Sequence, residues 1–410
     1  MHAKRENQSS KNENESMNES IYIKDIGPLR HIELDDIKPL TIIIGESASG
    51  KSTLMKILAQ FRYFYKMAVI SSWLKNANVK GTYFENEVSE YWKRAGLEEM
   101  LKPSSAVLYR VKVNGNSYEL SYKNGILSAF PVIPNEDLQF FKISFISENR
   151  SVIPDWSKNG ASNAGFGAKL GFYFHETFHD FNKATDMLQD IPLEHLAMRL
   201  QVTKEGGKKR YTIKPDDGSY TPMKLENASS GVQTSSSLVT ISQYMAHHFS
   251  FKDAFKRATF DFLYNSDRLE EFNSSFDISK MKRWVHLHAE EAELCLFPDA
   301  QRALVDALVK ICFINHEEDR QLTLMVTTHS PYIINHLNVM LRRHRYHSEK
   351  PGIESEKLGV FRIKDGTLQD LVGRDMHTGE VVINTLDMSE TMRDIYQEYM
   401  ALTGTEDRKL

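Results

Sequence analysis

From Ile21 the chain alternates. IYIKDIGPLRHIELDD sets apolar side chains at every second position around a Gly-Pro break, which predicts two half-exposed strands and a turn. After Pro39 the alternation stops. Leu40–Ile44 is apolar on both faces, as in a central parallel strand. Past Ser52, the spacing of Leu54, Ile57, Leu58, Phe61 and Phe64 follows the helical period. Over 105–130 the pattern returns to period two, and Asn114-Gly115 and Asn124-Gly125 are pairs that tight hairpins prefer, so an antiparallel meander is predicted. MRLQVTKEGGKKRYTIKP reads as another hairpin turning at Gly206-Gly207. Between them FFKISFISENRSVIP reads as a buried strand ending at Glu148, Asn149 and Arg150, followed by a Gly- and Ala-rich loop, SKNGASNAGFGAK. Helical text returns at 234–266. WVHLHAEEAELCLFP, a helix over Asp299–Phe313, the strand LTLMVTTHS and a strand pair near LGVFRIKDGTL complete the order.

Composition narrows the class. With 410 residues, 41% apolar and 26% charged, the chain has the make-up of a soluble globular protein. No window approaches the ~18 consecutive apolar residues of a membrane span, so no membrane partner is expected. Residues 1–20 lack the apolar core of a secretory signal and read as a solvated tail. Two cysteines, Cys295 and Cys312, without a Cys/His set for zinc, fit a reducing cytoplasmic location. A net charge of −4 leaves nucleic acid only local footholds: Arg342, Arg343 and Arg345 in LRRHRYHSEK, and Lys208, Lys209 and Arg210 at a hairpin tip. Such runs are also ordinary solvated surface.

The chemistry begins at Gly45-Glu46-Ser47-Ala48-Ser49-Gly50-Lys51-Ser52, which satisfies G-x-x-x-x-G-K-[ST] between a predicted strand and a predicted helix that continues with Thr53. The glycines let the backbone turn close to a phosphate, and loop and helix N–H groups point at it. Lys51 would reach the β- and γ-phosphates and Ser52 would ligate Mg²⁺, so ATP and Mg²⁺ are the expected ligands. Three weaker motifs follow. Glu290 and Glu291 end an apolar strand, where one carboxylate can hold Mg²⁺ and the next can deprotonate water; alone, the pair would be a solvated strand end. Thr327-Thr328-His329-Ser330 ends another strand, where His329 can sense a γ-phosphate or merely cap a helix. Ser229-Ser230-Gly231-Val232-Gln233 opens a helix with free N–H groups.

In this order the motifs resemble the ABC-type ATPases of the SMC, RecF and OLD kind. They look more closely like bacterial AAA-family ATPases of phage-defence and overcoming-lysogenization systems. Glu290-Glu291-Ala292-Glu293-Leu294-Cys295-Leu296-Phe297-Pro298 resembles their E-E-P-E-x-x-L-x-P, and Thr327–Pro331 their T-T-H-S-P; the resemblance covers roughly Ile21 to Tyr399. Ala292 replaces a proline, which is expected to loosen the turn after the acids. The resemblance implies an α/β P-loop fold of ABC-head type, a mixed central sheet with an antiparallel β-meander and a helical insertion. It implies a tail (1–20), an N-terminal ATPase lobe (21–104), a meander and insertion (105–226), a C-terminal lobe (227–400) and a second tail (401–410). By the same correspondence Glu290 holds Mg²⁺, Glu291 is the catalytic base, His329 is the switch, and Ser230 and Gly231 touch the γ-phosphate across a homodimer or higher homo-oligomer. Glu148 or Arg150 would stand where the family has a glutamine, and Asp299 would begin a further interface loop. The insertion leaves no room for a long coiled-coil arm, and the ~80 residues after His329 show no nuclease pattern. The expected function is therefore a nucleotide-driven dimer switch that controls a separate nuclease or toxin, as in defence systems of the Septu or PARIS type. The alternative is a DNA-repair or DNA-clamping ATPase of the RecF or SMC kind. A transporter ATPase is disfavoured by SSGVQ in place of LSGGQ.

Overall fold

A computed structural model describes residues 17–77, 88–158, 171–265, 281–385 and 390–406. In chain order the strands are β1 (Asn18–Ile26), β2 (Leu29–Leu34), β3 (Leu40–Gly45), β4 (Leu101–Val113), β5 (Asn116–Lys123), β6 (Ile126–Leu127), β7 (Gln139–Ile146), β8 (Asp190–Leu193), β9 (Met198–Glu205), β10 (Lys208–Pro215) and β11 (Met223–Lys224). They continue with β12 (Lys282–Ala289), β13 (Gln321–Thr328), β14 (Leu358–Lys364), β15 (Thr367–Asp370), β16 (Val372–Arg374) and β17 (Val381–Ile383). The helices are α1 (Lys51–Asn76), α2 (Val88–Arg94), α3 (Ile153–Lys158), α4 (Phe172–Met187), α5 (Ser230–His247), α6 (Phe251–Asn265), α7 (Pro298–Val309), α8 (Pro331–Arg345) and α9 (Glu390–Glu406).

Eleven strands form one mixed sheet in the order β6-β5-β4-β1-β2-β15-β14-β3-β13-β12-β7. The fold is the expected α/β one. β14, β3, β13, β12 and β7 run parallel, and TIIIG is central among them. The meander turns at both Asn-Gly pairs, and β2 meets β15 through a single registered pair, His31 and Thr367. A second sheet, β11-β10-β9-β8, carries the hairpin at Gly206-Gly207.

Helix α1 is apolar on most of its circumference and buried along nearly all of its 26 residues, the signature of a core helix. Inside it lies Arg62, 1% exposed. Its guanidinium donates to Glu19 of β1 (Nε to Oε1, 2.9 Å; Nη2 to Oε2, 2.7 Å) and sits 3.0 Å from His288 Nε2 of β12. The Tyr109 hydroxyl of β4 also donates to Glu19. β1 and β12 are six places apart in the sheet order, ~29 Å in a flat sheet at ~4.8 Å per strand. One arginine reaches both, so the sheet curls around α1.

The structure adds to the expected boundaries. β1 starts at Asn18, so the last residues of the expected N-terminal tail are strand, and Glu19 is in the core. The helix expected over Asp299–Phe313 is α7 followed by a π-helical turn, Lys310–Ile314. α9 runs to Glu406, through much of the stretch expected as a tail from 401. Most of the Gly- and Ala-rich loop lies outside the described residues.

Candidate nucleotide-binding site

The phosphate loop joins the end of β3 to the start of α1. Gly50 has φ +106°, and a Cβ there would come within 2.5 Å of Leu29 Cδ2. At Gly45 a Cβ would lie 2.7 Å from Ser49 Oγ and 2.9 Å from the Ile363 carbonyl of β14. Both positions therefore exclude a side chain. Ala48 also takes positive φ (+61°). The first turn of α1 has no side-chain cap, so amides of Lys51, Ser52 and Thr53 lack helical partners. The Thr53 hydroxyl donates to Met100 Sδ at 3.8 Å, and its backbone amide is among those without a helical partner.

Lys51 Nζ donates to the carbonyls of Gly45 (2.9 Å) and Glu46 (2.8 Å). Burial lowers its pKa, while the nearby Glu291 and Glu293 carboxylates oppose the shift. Those acids belong to the turn after β12. Glu290 extends the β12–β7 ladder, its amide donating to the Ile146 carbonyl at 3.0 Å. Its side chain is 1% exposed and Oε1 has no hydrogen-bond partner. Burial raises the Glu290 pKa, as does the Glu148 carboxylate, against Lys56 and the Ser52 hydroxyl. Lys56 Nζ stands 4.0 Å from Oε1. Glu291 has φ +44°, its amide donates to Thr327 Oγ1 at 3.1 Å, and its Oε1 lies 3.4 Å from His329 Nε2. The His329 amide donates to Glu293 Oε1 at 2.7 Å. Three parallel strands thus bring Lys51, Ser52, Glu290, Glu291 and His329 to one end of the sheet.

Two side chains beyond the expected set hold this arrangement. Arg150, fully buried, donates to the carbonyls of Glu290 and Glu291 (both 2.6 Å), and to those of Ser147 and Thr234 (both 3.2 Å). Burial lowers its pKa to about 10, opposed by the glutamates of the turn. Arg150 therefore positions the acidic turn; it is Glu148, exposed at the end of β7, that lies beside Glu290. The turn is not loosened by Ala292. Arg150 anchors it, and Leu294 and Leu296 amides close it onto Glu291 and Glu293 carbonyls. A residue before proline is pushed toward extended conformations, whereas Glu291 has positive φ, so alanine suits this turn. Glu293 was visible in the E-E-A-E run but carries no ligand role from sequence; here it ties the acidic turn to His329.

Ser230 is exposed at the start of α5, and a Cβ on Gly231 would come within 2.5 Å of the Cys295 carbonyl, so the helix start packs on the acidic turn. Among the described residues neither hydrogen-bonds to the phosphate loop. Asp299 is exposed, 3.6 Å from Arg302.

ATP and Mg²⁺ fit these residues: glycine-only positions, free amides and an orphaned buried carboxylate oxygen are what a phosphate and its cation would use. No group of three or more His, Cys, Asp or Glu side chains is placed to hold a metal among the described residues, so Ser52 and Glu290 would share the ion with phosphate oxygens, the usual Mg²⁺ arrangement. No helix among the described residues is long and apolar enough to cross a membrane.

The sequence matches no family model and no curated protein. Among solved structures the chain is similar to an SMC head bound to the C-winged helix domain of ScpA (10% identity, TM-score 0.35, 86% of this chain and 95% of that one). It is also similar to the SMC head domain from Thermotoga maritima (12%, 0.34, 86% and 97%) and to the recombination mediator protein RecF (13%, 0.32, 87% and 98%). At these scores the likeness carries no functional argument, and the residues of the site must carry it.

Proposed function

We propose that this chain binds and hydrolyses ATP as a nucleotide-driven dimer switch of ABC type. The observation that supports it is the convergence of Lys51, Ser52, Glu290, Glu291 and His329 at the carboxyl ends of β3, β12 and β13. Lys51 exchanges its bonds to the loop carbonyls for phosphate oxygens. The free amides of α1 and the loop stabilise negative charge without reorganising. A bound Mg²⁺ would neutralise charge on the β- and γ-phosphate oxygens, held by Ser52 and the Glu290 oxygen that lacks a hydrogen bond. Glu291 takes a proton from the attacking water, and His329, 3.4 Å away, holds that carboxylate in place and hydrogen-bonds the terminal phosphate. Ser230 and Gly231, which make no hydrogen bond to their own phosphate loop, contact the nucleotide of a second copy.

In its finer form the reading is a sensor or scaffold subunit of an anti-phage complex that controls a separate nuclease or toxin. The alternative is a DNA-clamping ATPase. One observation favours the first: apart from Lys208, the basic residues of the two runs already face acids of their own chain. Arg342 and Arg345 face Glu380 (3.3 and 3.0 Å), Arg343 faces Asp306 (2.8 Å), Lys209 faces Asp186 (3.0 Å) and Arg210 faces Glu205 (2.9 Å).

The test is light scattering of wild type and Glu291→Gln, with and without ATP and Mg²⁺, alongside phosphate release. The variant is expected to lose release by ~10²-fold or more and to gain mass with ATP. If neither mass nor release responds to ATP or to the substitution, the switch reading falls.

A further inference from the structure

We propose that the nucleoside half of the nucleotide lies in a second cleft beside the phosphate loop, with the Arg30 guanidinium as the stacking surface for its base. This rests on the nucleotide-binding reading and goes beyond it, because no sequence motif points to this cleft.

The cleft holds about 550 Å³ and residues 46–49 of the phosphate loop form part of its wall. Its other walls are the β1–β2 turn, Lys102 and the β14–β15 turn over 362–366. Lys51, Glu290, Glu291 and His329 do not line it. A terminal phosphate must face those hydrolytic groups, so the rest of the nucleotide leaves the loop on another side, and this cleft opens there with a volume in the usual range for ligand pockets. Even without Arg30, the three bases Lys102, Arg362 and Lys364 outnumber the two acids Glu46 and Asp365 in its lining, so its charge suits the inner phosphate end.

Among the described residues no aromatic side chain lines the cleft, so a base entering it meets none of their rings to stack on. The planar guanidinium is the substitute that proteins use for that purpose. Arg30 is placed for it. Its amide donates to the Gly366 carbonyl at 2.8 Å, and a Cβ on Gly366 would come within 2.7 Å of Arg30 Cγ. Gly366, at φ +73°, thus leaves room for the arginine stem against the hairpin, and Arg30 lines the cleft. Arg362, on the strand leading into the same hairpin, lines the cleft as well. Stacking on a guanidinium depends on the π-face that every base has, so this pocket ranks ligands by phosphate number more than by base.

The experiment titrates full-length wild type, Arg30→Ala, Arg30→Lys and Lys51→Ala with ATP, GTP and inorganic tripolyphosphate, each with Mg²⁺, by calorimetry. Expected are ATP and GTP affinities within about threefold of each other, and a loss of about tenfold for both on Arg30→Ala, with tripolyphosphate within twofold of wild type. Arg30→Lys keeps the charge without the plane and should behave as Arg30→Ala. Rescue by lysine, equal loss of tripolyphosphate, or no loss at all would each overturn the stacking role while leaving the nucleotide reading intact. If wild type and Lys51→Ala alike bind neither ATP nor tripolyphosphate, both fall together.

Discussion

Helix α1 carries two charged centres that obey opposite rules. At its middle, Arg62 and Glu19 are almost wholly buried; both Glu19 oxygens accept from the guanidinium, which also sits 3.0 Å from His288 Nε2 of β12. At its first turn, Ser52 and Lys56 face Glu290, just as buried, with one oxygen left unbonded. Unpaired buried charge is costly, and paired buried charge is costly to break. The hydrogen-bonded ion pair is therefore architecture, and the oxygen without a hydrogen bond is where the proposed Mg²⁺ would be held.

The comparison breaks first if the two centres respond alike to removal of one partner. Arg62→Ala leaves Glu19 buried without its counter-ion and should destabilise by ~3–5 kcal/mol. Glu290→Gln removes a charge that folding disfavours and should leave stability equal or higher. Denaturant unfolding of both variants checks this, and a destabilised Glu290→Gln would contradict it.

Acidity sharpens the contrast, because the two centres carry opposite signs. Burial, aided by Arg62, holds His286 and His288 well below the usual histidine range. Their folded pKa values are depressed, so they take up protons on unfolding, and stability is lost as pH falls below ~6.5. Glu290 is raised, so its folded form binds a proton more readily than the unfolded chain, and its penalty grows as pH rises above ~4.5. Wild type should lose stability from pH 7 to pH 5, and the advantage of Glu290→Gln should be larger at pH 7 than at pH 4. Unfolding curves at the three values read both signs.

The smallest effect belongs to exposed pairs. Arg210 and Glu205 are more than half exposed at the β9–β10 tip. Arg210→Ala should cost under ~0.5 kcal/mol and leave phosphate release unchanged.

The parts legible in the sequence were those with a local cause. TIIIG is a two-sided apolar run and WVHLHA and LTLMVTT are strand-like ones, and each became a parallel strand. Both Asn-Gly pairs became turns because their backbone requirement is local. What stayed hidden is what distance in the chain conceals. Glu19 sits in a polar run that reads as tail, and only Arg62, 43 residues on, makes it core. Arg150 grips carbonyls 140 and 141 residues away, and nothing in SENRS announces that. The cleft at Arg30 needs the β14–β15 hairpin, more than 330 residues later, to become a cleft at all.

The main sheet is joined across its middle by one registered pair, His31 with Thr367, helped by the Gly366 carbonyl that accepts the amides of Arg30 and His31. In mechanical terms it is two plates riveted at a point, with α1 as the axle between them. Load applied across the width would concentrate at that rivet, and a molecule held against Arg30 on one plate and Arg362 on the other would act as a second one.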